Sequence, residues 1–188
     1  MPKSATAGQI GAGLQVIILG LAVAVALIAG FTDWRSRRIP NWLTVPAFAA
    51  GLAVNSLAFG WHGLRSSLLG AGFALAVLLP FVLLRSLGAG DWKLGGALGA
   101  CLGWPAMADV LIGSVFVAGV MALVLVIYKG RLLQTFRNIW RILASMLALR
   151  LPASEVSLDN PQSLKIPYGV ALALTTLLFG VRSVWGVR

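Results

Sequence analysis

The sequence predicts an all-α membrane protein of about six transmembrane helices, with one amphipathic helix on the cytoplasmic surface. Three observations carry that expectation: the composition, the spacing of the apolar runs and the placement of the basic residues. Of the 188 residues, 59% are hydrophobic and only 11% are charged, with a mean hydropathy of +0.92. A water-soluble domain carries about 25% charged residues. A chain this short cannot hide so much apolar surface in one core, so lipid is the solvent for most of it.

In order along the chain, apolar runs near 11–32, 42–60, 66–87, 106–128 and 166–185 reach the roughly twenty residues needed to span a bilayer. The first of them follows a segment with only Lys3 as a basic residue. It lacks the basic start and short core of a cleaved secretory signal, so it is read as a retained helix. A shorter run near 92–104 is rich in Gly95, Gly96, Ala97, Gly99 and Ala100. Small residues of this kind let helices approach closely, so a buried helix is expected there.

Between the last two spans, residues 129–165 form a more polar segment within a single 1–188 membrane domain. Arg131, Gln134, Arg137, Asn138, Arg141 and Ser145 recur every three or four residues, opposite Leu132, Leu133, Phe136, Ile139, Trp140, Leu143 and Leu147. That spacing predicts an amphipathic helix over 131–150 lying on anionic lipid head groups. As a spanning helix it would carry Arg137 and Arg141 into hydrocarbon at a cost of several kcal/mol. Residues 152–167 read as a surface loop.

The net charge of +10 is distributed as topology and not as a nucleic-acid footprint, because the basic residues sit in short clusters between apolar runs. With the N-terminus outside, Arg35, Arg37, Arg38, Arg85, Lys93, Lys129, Arg131, Arg137, Arg141, Arg150 and Lys165 all fall on the cytoplasmic side. Only Lys3, Arg65, Arg182 and Arg188 of the 15 Lys and Arg fall outside. The single Cys101 permits neither a disulfide framework nor a paired-cysteine metal site, and no metal or cofactor is expected.

Two of the five acidic residues, Asp33 and Asp91, abut apolar runs on the same predicted side. Two crossings separate them, and an even number returns the chain to the face it left. An ionisable group at the edge of hydrocarbon is costly and marks function. Two neighbouring carboxyls cannot both ionise easily, so one keeps a proton while the other acts as a base. Such a pair can hydrolyse a peptide bond without a metal or a nucleophilic side chain. Gly88 and Gly90 predict an unwound or tightly turned approach to Asp91. A helix starting there favours the anion and so predicts Asp91 as the base.

Other readings compete. Asp33 and Asp91 could relay protons in a small transporter or form a structural pair in a membrane-assembly subunit. Asp109 after Trp104-Pro105 reads as a helix cap. A serine intramembrane protease needs a serine and a histidine in a specific setting. The only histidine, His62, lies in a loop, and Gly113-Ser114 has the wrong context.

Three stretches carry a family resemblance: Asp33-Trp34-Arg35-Ser36-Arg37-Arg38-Ile39-Pro40-Asn41, then Gly88-Ala89-Gly90-Asp91-Trp92-Lys93, then Lys165-Ile166-Pro167-Tyr168-Gly169. In this order they resemble the prepilin peptidases, membrane aspartic proteases of the GxGD type. The resemblance implies a GxGD aspartic protease architecture and an endopeptidase in the bacterial inner membrane. It would cut prepilins at the cytoplasmic face, between a short basic leader and a hydrophobic helix.

It further implies Asp33 and Asp91 as the catalytic pair, with Gly88, Gly90, Lys93, Pro167, Tyr168 and Gly169 shaping the site or lining the substrate path. The larger members are bifunctional and carry a cysteine-containing cytoplasmic domain between the first helices. Here only a few residues separate those helices, so N-methyltransferase activity is not expected. The compact form is similar to peptidases of Flp-type (tight adherence) pilus systems. The sequence leaves the oligomeric state and the particular prepilin open.

Overall fold

The computed structural model describes residues 3–84, 86–130 and 167–186. These residues form helices α1 (Lys3–Ser36), α2 (Asn41–Leu83), α3 (Ala89–Leu102), α4 (Ala106–Tyr128) and α5 (Tyr168–Gly186). The amphipathic helix expected over 131–150 and the loop that follows it lie outside the described residues. The chain divides into two compact units, Met1–Val117 with Pro167–Arg188, and Ala118–Ile166. In the second, the described part is the distal half of α4, with Val120, Leu123, Val124 and Ile127 outward.

Among the described residues, four stretches are long and apolar enough to cross a membrane: Gly13–Ser36, Asn41–Leu83, Ala106–Tyr128 and Tyr168–Gly186. The expected runs 42–60 and 66–87 lie in one helical element, α2, which is interrupted at Gly60 by left-handed backbone (φ 59, ψ −138). The chain reverses there, since a Cβ on Gly63 would strike the carbonyl of Asn55. Only glycine adopts such a conformation without strain.

The two halves of α2 straddle α3 in opposite directions. Ile39, just ahead of the first half, lies at Gly90, and Gly51 within it lies at Cys101; along the second, Leu78 lies at Gly95 and Gly70 at Gly99. With 14 residues, α3 is roughly 21 Å long, short of a hydrocarbon core of about 30 Å. Its small residues make the sandwich possible. A Cβ on Gly99 would stand 2.5 Å from the Gly70 carbonyl oxygen, so the backbones touch there.

Polar ties fix α3 along its length. The Asn55 side-chain amide donates to the carbonyls of Ala100 (3.1 Å) and Cys101 (2.9 Å), which satisfies orphan carbonyls at a helix end away from water. The Trp92 indole N–H donates to the Leu75 carbonyl (2.8 Å). At the start of α3, Lys93 Nζ donates to Asn41 Oδ1 (2.9 Å).

Helix α1 packs antiparallel to α5, with Gly30 against Ala173 and Gly180 against Val23. The first half of α4 joins them where Gly113 meets Thr175. Leu94, Leu98, Met107, Val110 and Leu172 fill the centre. Outward side chains such as Val16, Ile17, Ile112, Phe116 and Leu178 stay apolar, a surface suited to acyl chains and a liability in water. Exposed Trp34 and Trp42 mark one end of the bundle, and Trp61, Trp104 and Trp185 the other. Those are the two levels at which indole rings favour a bilayer interface.

Candidate active site

At the Trp34 and Trp42 end, three chain reversals meet. Helix α1 stops when Arg37 takes a left-handed conformation (φ 50), and its N–H closes on the Asp33 carbonyl at 2.8 Å. Asp33 thus lies in the last turn, and its side chain is buried. The extended Pro40 (φ −76, ψ 144) then starts α2. Ile39, just before it, points inward and is buried.

Asp91 is the third residue of α3, whose cap is the extended Gly88 (φ −71, ψ 144). The non-helical approach expected from the glycines forms at the extended Gly88, whereas Gly90 is already helical and neither glycine has positive φ. Their role is space. A Cβ on Gly90 would lie 3.2 Å from Ile39 Cβ, and one on Gly88 would lie 3.1 Å from Asp91 Oδ2.

The third reversal brings the first turn of α5 against both carboxyls. The main-chain N–H of Gly169 donates to Asp33 Oδ2 at 3.0 Å. The amides of Gly88 and Gly169 also face the Asp91 carboxyl, and the Asp33 carboxylate is close enough to raise the Asp91 proton affinity. A Cβ on Gly169 would stand 2.9 Å from Asp33 Oδ2 and 3.0 Å from Ile39 Cδ1. Ile39 therefore fills the gap between Gly90 and Gly169, walling the pair on one side.

The two carboxyls are not equivalent. Asp33 accepts the Gly169 N–H at its Oδ2 oxygen. Asp91 Oδ1 is buried with no partner, and a buried unpartnered oxygen is far less costly when protonated. Burial, reinforced by the Asp33 charge, pushes Asp91 up to about 7. Its position near a helix start, from which the sequence predicts the anion, does not offset this burial.

Of the remaining sequence-predicted residues, Gly88, Gly90 and Gly169 converge on the pair. Lys93 extends to Asn41. Pro167 caps α5 by accepting the Val170 N–H at 3.2 Å. Tyr168 turns into the bundle and meets Ser114, 2.7 Å from its hydroxyl. Sequence reasoning missed Ser114 and the walling role of Ile39. A lone hydroxyl inside the apolar run 106–128 was the available signal for Ser114. Among the described residues no three His, Cys, Asp or Glu side chains gather as metal ligands, so the centre consists of the two carboxyls and the amides around them.

A family model described as the type IV leader peptidase family matches residues 20–127. The chain belongs to the type IV leader peptidase family. Asp33 and the Gly88 to Asp91 box fall inside the matched residues, whereas the Pro167-Tyr168-Gly169 turn lies beyond them. The chain is 36% identical over 127 residues to a prepilin leader peptidase/N-methyltransferase of Burkholderia pseudomallei (strain 1026b), covering 64% of this chain and 40% of that protein.

It is also 36% identical to the protein of that name from Aeromonas hydrophila, covering 64% and 43%. With the one from Neisseria gonorrhoeae it is 35% identical, covering 63% and 44%. This leader-peptidase-family chain is thus matched to less than half the length of these curated relatives. No solved structure matches it significantly.

Proposed function

We propose that the protein is a membrane aspartic endopeptidase that removes the basic leader from type IV prepilins of the Flp-like kind, at the cytoplasmic face of the bacterial inner membrane. The observation that carries this reading is the meeting of Asp33 and Asp91 at the Gly169 amide, with that N–H on Asp33 and the Oδ1 oxygen of Asp91 buried without a hydrogen-bond partner. The Asp33 carboxylate takes a proton from water as its oxygen attacks the scissile carbonyl carbon. Asp91 gives its proton to the carbonyl oxygen, so the product of this step is a neutral gem-diol. On collapse the C–N bond breaks, the leaving nitrogen takes the proton from Asp33, and one hydroxyl returns a proton to Asp91. The dyad ends as it began.

Gly88, Gly90 and Gly169 shape a wall along which a substrate main chain can lie, and Lys93 and Pro167 hold that wall in place. Each half of α2 crosses the bilayer, α3 crosses only in part, and the total is about six membrane segments. The basic Arg35, Arg37, Arg38 and Lys93 beside the dyad favour a cytoplasmic placement and contacts with anionic head groups. The transporter alternative draws no support from a pair that sits at one end of the bundle and not at mid-membrane.

The test is co-expression with a Flp-type prepilin, followed by immunoblotting for leader removal. Asp33→Asn and Asp91→Asn each abolish processing while the protein still accumulates in the membrane. Normal processing by either variant removes that aspartate from the chemistry.

A further inference from the structure

A second hydrogen-bonded chain runs from the interior of α4 to the first turn of α5. Ser114 is fully buried, and its hydroxyl donates to the Leu111 carbonyl at 2.8 Å. With that proton committed, the 2.7 Å contact between Ser114 Oγ and Tyr168 Oη has the tyrosine as donor. Tyr168 is followed directly by Gly169, whose N–H donates to Asp33 Oδ2.

The first N–H groups of a helix have no intrahelical acceptor, so their direction follows whatever holds the turn. Here the Pro167 carbonyl closes on Val170, and the phenol pins the same turn to α4. Gly169 carries no side chain with which to fix itself, and it is pressed against Asp33 and Ile39.

We propose that Ser114 and Tyr168 are a positioning pair that aims the Gly169 amide at Asp33, and that Tyr168 acts through this tether and not by contact with substrate. The proposal rests on the reading of Asp33 and Asp91 as the dyad. An amide bonded to a carboxylate is charge-assisted and roughly twice as strong as a neutral bond. Its alignment decides how well the base is held in its ionised form at the distance the attacking water requires. The residues facing Asp33 are Arg37 on its own helix, Asp91 on α3 and the Gly169 and Val170 amides in the first turn of α5. Of these, the turn is the one that depends on a remote hydroxyl.

The experiment uses the full-length protein in detergent or nanodiscs and a prepilin substrate titrated to saturation. Tyr168→Phe keeps the ring and loses only the donor, while Ser114 stays bonded to Leu111. Tyr168→Phe and Ser114→Ala each lower kcat by about tenfold, the effect of a misaligned group at a reacting centre, with KM within twofold of wild type. The double variant is no slower than either single one, because both break the same link. Ser114→Thr, which keeps the hydroxyl, recovers most of the rate.

A raised KM at unchanged kcat places Tyr168 on the substrate and overturns the proposal, as do losses that multiply in the double variant or an unchanged rate in Tyr168→Phe. If Ser114→Ala fails to accumulate, Tyr168→Phe and Ser114→Thr decide the matter. Failure of the dyad reading looks different, since Asp33→Asn and Asp91→Asn would then retain activity.

Discussion

The Gly169 N–H reaches the Asp33 carboxylate at 3.0 Å across 136 positions of chain. That one bond joins the end of α1 to the start of α5 and fixes the position of one of the two carboxyls. It also leaves no room, because any Cβ on Gly169 would lie within 3.1 Å of both Asp33 Oδ2 and Asp33 Cβ.

Gly169→Ala therefore displaces either the turn or the carboxylate. Processing of a co-expressed prepilin falls by about 100-fold, the effect of a displacement of roughly 1 Å at a reacting centre, while membrane accumulation persists. Gly72→Ala serves as the control, since a Cβ there meets nothing within 4 Å, and it processes normally. Equal rates for the two variants would show that the Gly169 contact does not matter.

The dyad works with one proton. Asp91, pushed up to about 7 by burial and then by the Asp33 charge, keeps its proton below that value and loses it above. The rate of leader removal therefore declines as pH rises through about 7, measured with purified protein at saturating substrate. A rate that keeps climbing well beyond neutrality would contradict Asp91 as the acid.

The same displacement has a stability consequence of definite sign. A carboxyl raised in the folded state binds its proton more tightly there than when unfolded, so its contribution to stability is present at low pH and fades as pH rises from 3.8 through about 7. Asp91→Asn removes the buried charge and so unfolds at a higher temperature than wild type at pH 8. The gap narrows toward pH 5. Thermal melts in detergent at the two pH values measure it, and an Asn variant less stable at pH 8 contradicts the buried-charge account.

Asn55 caps α3 from the neighbouring helix. Asn55→Leu strands the Ala100 and Cys101 carbonyls, which costs about 1–3 kcal/mol in a buried setting and lowers the melting temperature. The residue lies near the opposite end of α3 from the dyad, so the fraction that remains folded keeps its kcat. Melting and kcat measurements on the same preparation separate the two effects.

The sequence by itself determined the solvent, the helical class and the break near residue 60, and it singled out two aspartates as a candidate pair. These follow from local quantities: the length of apolar runs, the scarcity of charge, and rare acidic groups at run ends with a glycine box or an Ile-Pro-Asn stretch beside them. Asp33 and Asp91 were legible because a carboxyl at a hydrocarbon edge is costly wherever the rest of the chain goes.

Only the tertiary structure decided how the two carboxyls are buried, which atoms press on the glycines and where Tyr168 points. Local reasoning made Asp91 the base, because it reads the helix start and cannot read the burial of Asp91 Oδ1 or the distant Gly169 amide on Asp33. It likewise could not show that the space beside Gly88 and Gly90 is taken by Asp91 and Ile39. Proton affinity and steric room depend on neighbours far along the chain, and those are set only once α1, α3 and α5 close on one another.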